Sequence, residues 1–141
     1  MRAAPFAARH RERAEELLAQ VGMAEAAGRA CRELAYGDVK RVELAVALAN
    51  DPRLMLMDEP TAGMAPAERV ALMALTRRLT AERGLAVLFT EHDMDIVFGT
   101  ADRILVLHHG EVIAEGDAAA IRGDAQVRAV YLGSGATSGG H

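Results

Sequence analysis

Two short polar clusters follow directly on apolar runs. Asp58-Glu59 follows Leu54-Met55-Leu56-Met57, and Glu91-His92-Asp93 follows the run from Leu85 to Thr90. If both runs are neighbouring parallel strands, the clusters stand side by side at the carboxyl edge of the sheet, where open α/β sheets bind ligands. One carboxylate there could hold Mg²⁺ through its water shell, because Mg²⁺ keeps several waters and takes few protein ligands. The other could orient or deprotonate an attacking water, and His92 could hydrogen-bond a terminal phosphate. The plainer alternative is that Asp58 and Glu59 cap a loop and His92 is a solvated strand end. A third feature, Leu34-Ala35-Tyr36-Gly37-Asp38, leads into a helix expected to start near Val39. A glycine turn feeding a helix offers first-turn N–H groups and the positive end of the helix dipole, which suits phosphate. Alone it is weak, since most such turns bind nothing.

These residues need elements to position them. Ala8 to Val21 reads as an amphipathic helix with Leu17, Leu18 and Val21 at helical spacing, and Gly22 is its stop. The helix from about Asp38 to Asn50 is expected to bury Val42, Ala45, Val46 and Ala49, with Asp51-Pro52 ending it. After the strand Leu54–Met57, Pro66 suits the first turn of a third helix that turns Leu72, Leu75 and Leu79 to one face and ends at Gly84. Strand, helix and strand from Leu54 to Thr90 form a βαβ unit, hence parallel strands. Asp93 suits the cap of a short helix reaching Phe98. Arg103 to Leu107 and Glu111 to Ala114 read as a hairpin across His108-His109-Gly110. Adjacent histidines in such a turn are ordinarily just exposed. Two short helices are expected near Ala118 to Arg122 and Ala125 to Tyr131, and the Gly/Ser-rich residues 134–141 are expected to be a mobile tail.

Composition narrows the classes. The 141 residues are the size of one domain and are 51% hydrophobic, so they can form a core. Sixteen basic against twenty acidic residues give a formal net charge of −4, and aromatics make up only 4%. That balance argues against a nucleic-acid binder relying on phosphate contacts or base stacking. Arginines near the N-terminus are interleaved with Glu12, Glu15 and Glu16, as on an ordinary solvated helix rather than a targeting segment. The single cysteine, Cys31, cannot form an internal disulfide, which fits a reducing, cytoplasmic compartment. No apolar run approaches the roughly 18 residues that span a bilayer as a helix, so no direct membrane insertion is expected.

In this order and spacing the residues resemble the ATP-binding subunits of ABC transporters. Leu34-Ala35-Tyr36-Gly37-Asp38 is similar to the signature motif and Leu54 to Asp58 to Walker B. Glu59 matches the catalytic glutamate, Thr61-Ala62-Gly63-Met64-Ala65 the D-loop, and His92 the switch histidine. Gly110 to Gly116 extends the match, and Val130-Tyr131-Leu132-Gly133 is similar to the branched-chain amino-acid subfamily. Ala35, Asp38, Val46 and Ala65 depart from the commonest family residues. A complete family domain also carries a P-loop, GxxxxGK[ST], whose lysine reaches the β- and γ-phosphates. The one lysine here, Lys40, follows Val39, so these residues hold no P-loop.

The resemblance implies a truncated parallel-sheet α/β fold of the P-loop NTPase (ABC ATPase) type. Residues 1–50 would be part of the helical subdomain and 51–133 the C-terminal part of the nucleotide-hydrolase core. It implies ATP and Mg²⁺ as ligands, with Asp58 holding Mg²⁺ through water and Glu59 and His92 acting in catalysis. Leu34 to Asp38 would bind the nucleotide, and Gly63, Met64 and Ala65 would make the dimer contact. The implied partners are a second ATP-binding subunit and membrane permease subunits, on the cytoplasmic face of the membrane. Hydrolysis would drive import of branched-chain or related amino acids, although this chain alone is expected to be inactive. The alternative is a non-catalytic module pairing with a complete subunit or with a separate N-terminal half. In the family a P-loop strand lies between the strands matching Leu85–Thr90 and Arg103–Leu107. Without it two apolar strands would leave unpaired backbone groups, so the isolated chain is expected to fold poorly.

Overall fold

The computed structural model describes residues 3–133, and the stretch expected to be a mobile tail lies outside the described residues. The chain divides into two compact units, the first ending at His92 and the second starting at Asp93.

In the first unit α1 (Ala3–Gln20) stops where Gly22 takes φ +75°, which lets the Met23 N–H return to the Leu18 carbonyl at 2.7 Å. Helix α2 spans Tyr36–Leu48. Strand β1 (Leu54–Asp58), helix α3 (Pro66–Arg83) and strand β2 (Ala86–Thr90) form the expected βαβ unit, with β1 and β2 parallel. Their register runs from Leu54 opposite Ala86 to Asp58 opposite Thr90. Pro66 opens α3, the Glu68 carboxylate accepts from the Ala65 N–H at 3.2 Å, and Gly84 closes the helix at φ +62°. Leu17, Val21, Leu44, Leu48, Leu79 and Met55 belong to one core drawn from these helices and β1.

Helix α2 departs from the sequence expectation. It begins at Tyr36 rather than near Val39, because Ala35 supplies the extended residue before the helix (φ −63°, ψ 154°). Gly37 therefore lies inside the first turn. The buried face is Gly37, Leu44, Ala45 and Leu48, whereas Val46 is 66% exposed and Ala49 is exposed. The larger leucines fill the core that α2 shares with α1 and α3, with Val42 packed against it, whereas Val46 and Ala49 of the expected stripe are rotated off the inward face.

In the second unit Asp93 caps α4 (Met94–Thr100), accepting from the Asp95 and Ile96 N–H groups. Strands β3 (Ile104–His108) and β4 (Glu111–Gly116) form an antiparallel hairpin. Its turn residues His109 and Gly110 take φ +50° and +78°, the handedness that tight hairpins require. Helix α5 (Ala118–Gly123), the single turn α6 (Ala125–Val127) and a π-turn (Arg128–Leu132) follow, with Asp117 and Asp124 capping α5 and α6. Ile96, Val97, Ile104, Ile121 and Val127 are buried.

Among the described residues β2 pairs only with β1, and β3 only with β4. Each strand pair also carries exposed apolar side chains. Leu54 and Leu56 share one face of β1 with Leu88 of β2, exposed by 56%, 68% and 57%. Leu105, Leu107 and Val112 are likewise exposed on the hairpin. Among the described residues no helix is long and apolar enough to cross a membrane.

Candidate functional site

The parallel register brings the carboxyl ends of β1 and β2 level, so Asp58 stands opposite Thr90. The Thr90 hydroxyl donates to Asp58 Oδ1 at 2.5 Å and accepts from the Glu59 N–H at 3.1 Å. The Glu59 N–H also reaches the Thr90 carbonyl at 3.0 Å. One threonine thus fixes both acidic residues. Glu59 adopts φ +45°, a conformation that costs energy in a residue with a side chain. The chain turns sharply there, and the carboxylate comes within 3.1 Å of His92 Nδ1 through Oε1. A carboxylate only accepts, so an N–H at Nδ1 would donate here and leave Nε2 for another group. Both side chains are exposed.

The next two residues lock the two strand ends together. Thr61 is 1% exposed, and its N–H donates to Glu91 Oε1 at 3.0 Å while its hydroxyl donates to the same oxygen. The cluster is therefore built across the strand pair, with Glu91 spent on structure and Asp58, Glu59 and His92 facing solvent at one edge. Sequence reasoning named Thr90 and Thr61 only as parts of a strand and a motif and missed that they join the strand ends. The signal was a hydroxyl residue ending the second strand, and it becomes informative only when the register places it opposite Asp58.

Leu34 to Asp38 lie at the start of α2, with Gly37 buried and Asp38 in the first turn. Among the described residues no hydrogen bond or ion pair joins this stretch to Asp58, Glu59 or His92. It contacts the turn Thr61–Ala65 instead: Tyr36 Oη donates to the Ala62 carbonyl at 3.1 Å. Within that turn Met64 is 5% exposed, whereas Gly63 and Ala65 are exposed.

Asp58 suits Mg²⁺ held through water. Thr90 satisfies one oxygen of an exposed carboxylate, and the other is left for one water of the ion's shell. Among the described residues no group of three His, Cys, Asp or Glu side chains is placed to grip a metal directly.

This architecture is that of an ATP-binding cassette. A solved ATP-binding cassette of an ABC transporter in its ADP conformation superposes with a TM-score of 0.79 at 33% identity, over 86% of this chain and 49% of that one. A nucleotide-free cassette matches with a TM-score of 0.77 at 31% identity over the same shares. The sequence profile described as "ABC transporter" matches residues 3–62. That of "Branched-chain amino acid ATP-binding cassette transporter" matches residues 111–137. These likenesses are to the ATP-binding proteins of ABC transporters, and over residues 111–137 to those of the branched-chain amino acid type. It is 38% identical over 122 residues to the high-affinity branched-chain amino acid transport ATP-binding protein BraF of Pseudomonas aeruginosa. The identity to LivG of Escherichia coli, described in the same words, is also 38%. Each match covers 86% of this chain and 48% of the relative, so the chain spans about half the length of the curated relatives it matches.

Proposed function

We propose that this chain is part of an ATP-binding subunit that couples ATP hydrolysis to import of branched-chain or related amino acids. The observation that carries the reading is the Glu59–His92 contact of 3.1 Å beside Asp58, at the level ends of two parallel strands. Asp58 would hold Mg²⁺ through water. A bound Mg²⁺ supplies positive charge against the β- and γ-phosphate oxygens. Glu59 accepts a hydrogen bond from the attacking water and polarises it. His92, oriented by Glu59 through Nδ1, offers Nε2 to the γ-phosphate.

Leu34 to Asp38 would close on ATP held by a second ATP-binding subunit, with the first-turn N–H groups of α2 aimed at phosphate. Gly63, Met64 and Ala65 would form the contact between subunits, Met64 through its backbone. The pair would work against membrane permease subunits on the cytoplasmic face, as a peripheral component. The 141 residues alone are expected to have negligible ATPase activity, because they contain no lysine-bearing phosphate cradle.

A second reading, a non-catalytic partner for a separate P-loop-bearing chain, is favoured by the exposed Leu54, Leu56 and Leu88 on strands with unshared edges. Such a face suits an apolar surface from another polypeptide.

The test is a fusion that places the first half of a branched-chain amino acid ATP-binding relative ahead of this sequence. The fusion is expected to hydrolyse ATP with Mg²⁺, and Glu59→Gln to lower turnover at least about 100-fold. Turnover by the unfused chain that Glu59→Gln abolishes would overturn the need for an external cradle. Fusion turnover indifferent to Glu59→Gln and His92→Ala would overturn the roles of both residues.

A further inference from the structure

Tyr36 is 52% exposed, yet it is held at several points. Its hydroxyl donates to the Ala62 carbonyl at 3.1 Å. Its ring lies along Gly63, where a Cβ would meet Cε1 at 3.4 Å and Oη at 3.6 Å. Gly63 takes φ +76°, so glycine there serves both the backbone conformation and the approach of the ring. Lys40 Nζ sits 5.4 Å from the ring centroid and donates to Glu43 at 3.0 Å, steadying the ring from the helix side.

The following residue, Gly37, leaves room for the Glu68 carboxylate that holds the last residue of the turn. A Cβ on Gly37 would lie 3.1 Å from Glu68 Oε1, and Glu68 Oε2 accepts from the Ala65 N–H at 3.2 Å. Tyr36 therefore contacts Ala62 and Gly63 of the turn directly, while Gly37 lies beside Glu68, whose carboxylate accepts from the Ala65 N–H. The turn is anchored to the strand edge by Thr61 and to α3 by Arg69 Nε, which donates to the Met64 carbonyl at 2.8 Å.

We infer that Tyr36 is a positioning residue whose hydroxyl and ring tether the turn Thr61–Ala65 to the first turn of α2. The two stretches assigned above to nucleotide closure and subunit contact are then held at one separation, and displacing either displaces the other. The significance of that separation rests on the proposed function, whereas the tether is a property of this chain alone.

The chain contains two tyrosines and no tryptophan. In a Tyr131→Phe background Tyr36 is therefore the sole long-wavelength fluorophore and reports on the turn. Gly63→Ala in that background is expected to change Tyr36 emission. Tyr36→Phe, which keeps the ring and removes the hydroxyl, is expected to speed amide exchange at Ala62 and Met64 about fivefold. Tyr36→Ala is expected to speed it further, with the core amides of α3 unchanged. Tyr36→Phe exchange equal to that of the parent chain, or Tyr36 emission indifferent to Gly63→Ala, would overturn the tether. Neither measurement uses nucleotide or a partner, so the tether and the functional reading fail separately.

Discussion

His92 Nδ1 lies 3.1 Å from Glu59 Oε1, and that approach is made possible by a backbone conformation at Glu59 that favours glycine. The left-handed turn is held by two hydrogen bonds from the Glu59 N–H to Thr90, one to its carbonyl and one to its hydroxyl. Strain concentrated on a proposed catalytic carboxylate is the pattern expected where function outweighs stability.

Replacing that residue by glycine should therefore stabilise the chain while removing the carboxylate. Relief of the positive φ is worth about 1 kcal/mol, and the exposed Glu59–His92 pair contributes less than that. Glu59→Gly is expected to raise the urea midpoint without changing the slope, whereas Glu59→Ala keeps the strain and gains nothing. A Glu59→Gly midpoint at or below that of the parent would refute the assignment of strain to this position.

The apolar face of the β1–β2 pair predicts self-association. Leu56 is 68% exposed and stands opposite Leu88 at 57%, on strands whose outer edges pair with nothing else among the described residues. The isolated chain is expected to scatter light increasingly with concentration and to melt over a broad range. Leu56→Glu with Leu88→Lys is expected to suppress the scattering and change stability by about 0.5 kcal/mol or less. A monodisperse parent with a sharp, cooperative thermal transition would count against both statements.

The pH dependence set by Lys40 follows from its partners. The hydrogen bond that Lys40 donates to Glu43 raises its pKa above the ordinary lysine value, outweighing partial desolvation, with the charge of Glu43 and the phenol of Tyr36 adding to the effect. A raised folded-state pKa stabilises the chain wherever lysine is charged in the unfolded state, below about pH 10.5. The contribution is lost as pH climbs through the higher folded-state value. Lys40→Met is expected to cost about 0.5 kcal/mol at pH 7, the scale of an exposed pair, and the gap to the parent is expected to close as pH rises through the raised folded-state pKa. A gap that stays constant as pH rises from 7 until the lysine is neutral would assign the effect to packing of the lysine stem.

Local signals carried much of the fold. Pro66 and Gly84 bracket α3 and Asp93 caps α4, because caps act over one turn and need no distant partner. The parallel pairing followed from strand, helix and strand in succession, since a crossover of that length admits little else. The start and inward face of α2 were misread for the opposite reason. Val46 and Leu44 are both apolar, and only the core shared with α1 and α3 settles which of them is buried.

What the residues by themselves determined was the set of reactive groups, the elements that carry them and the family that their order resembles. The tertiary structure decided which groups meet. Thr90 reaches Asp58 across 32 residues and Tyr36 reaches Ala62 across 26. Such contacts depend on strand register and on where a helix settles against its neighbours. A shift of one residue in register would turn Asp58, and the exposed leucines with it, to the opposite face of the sheet.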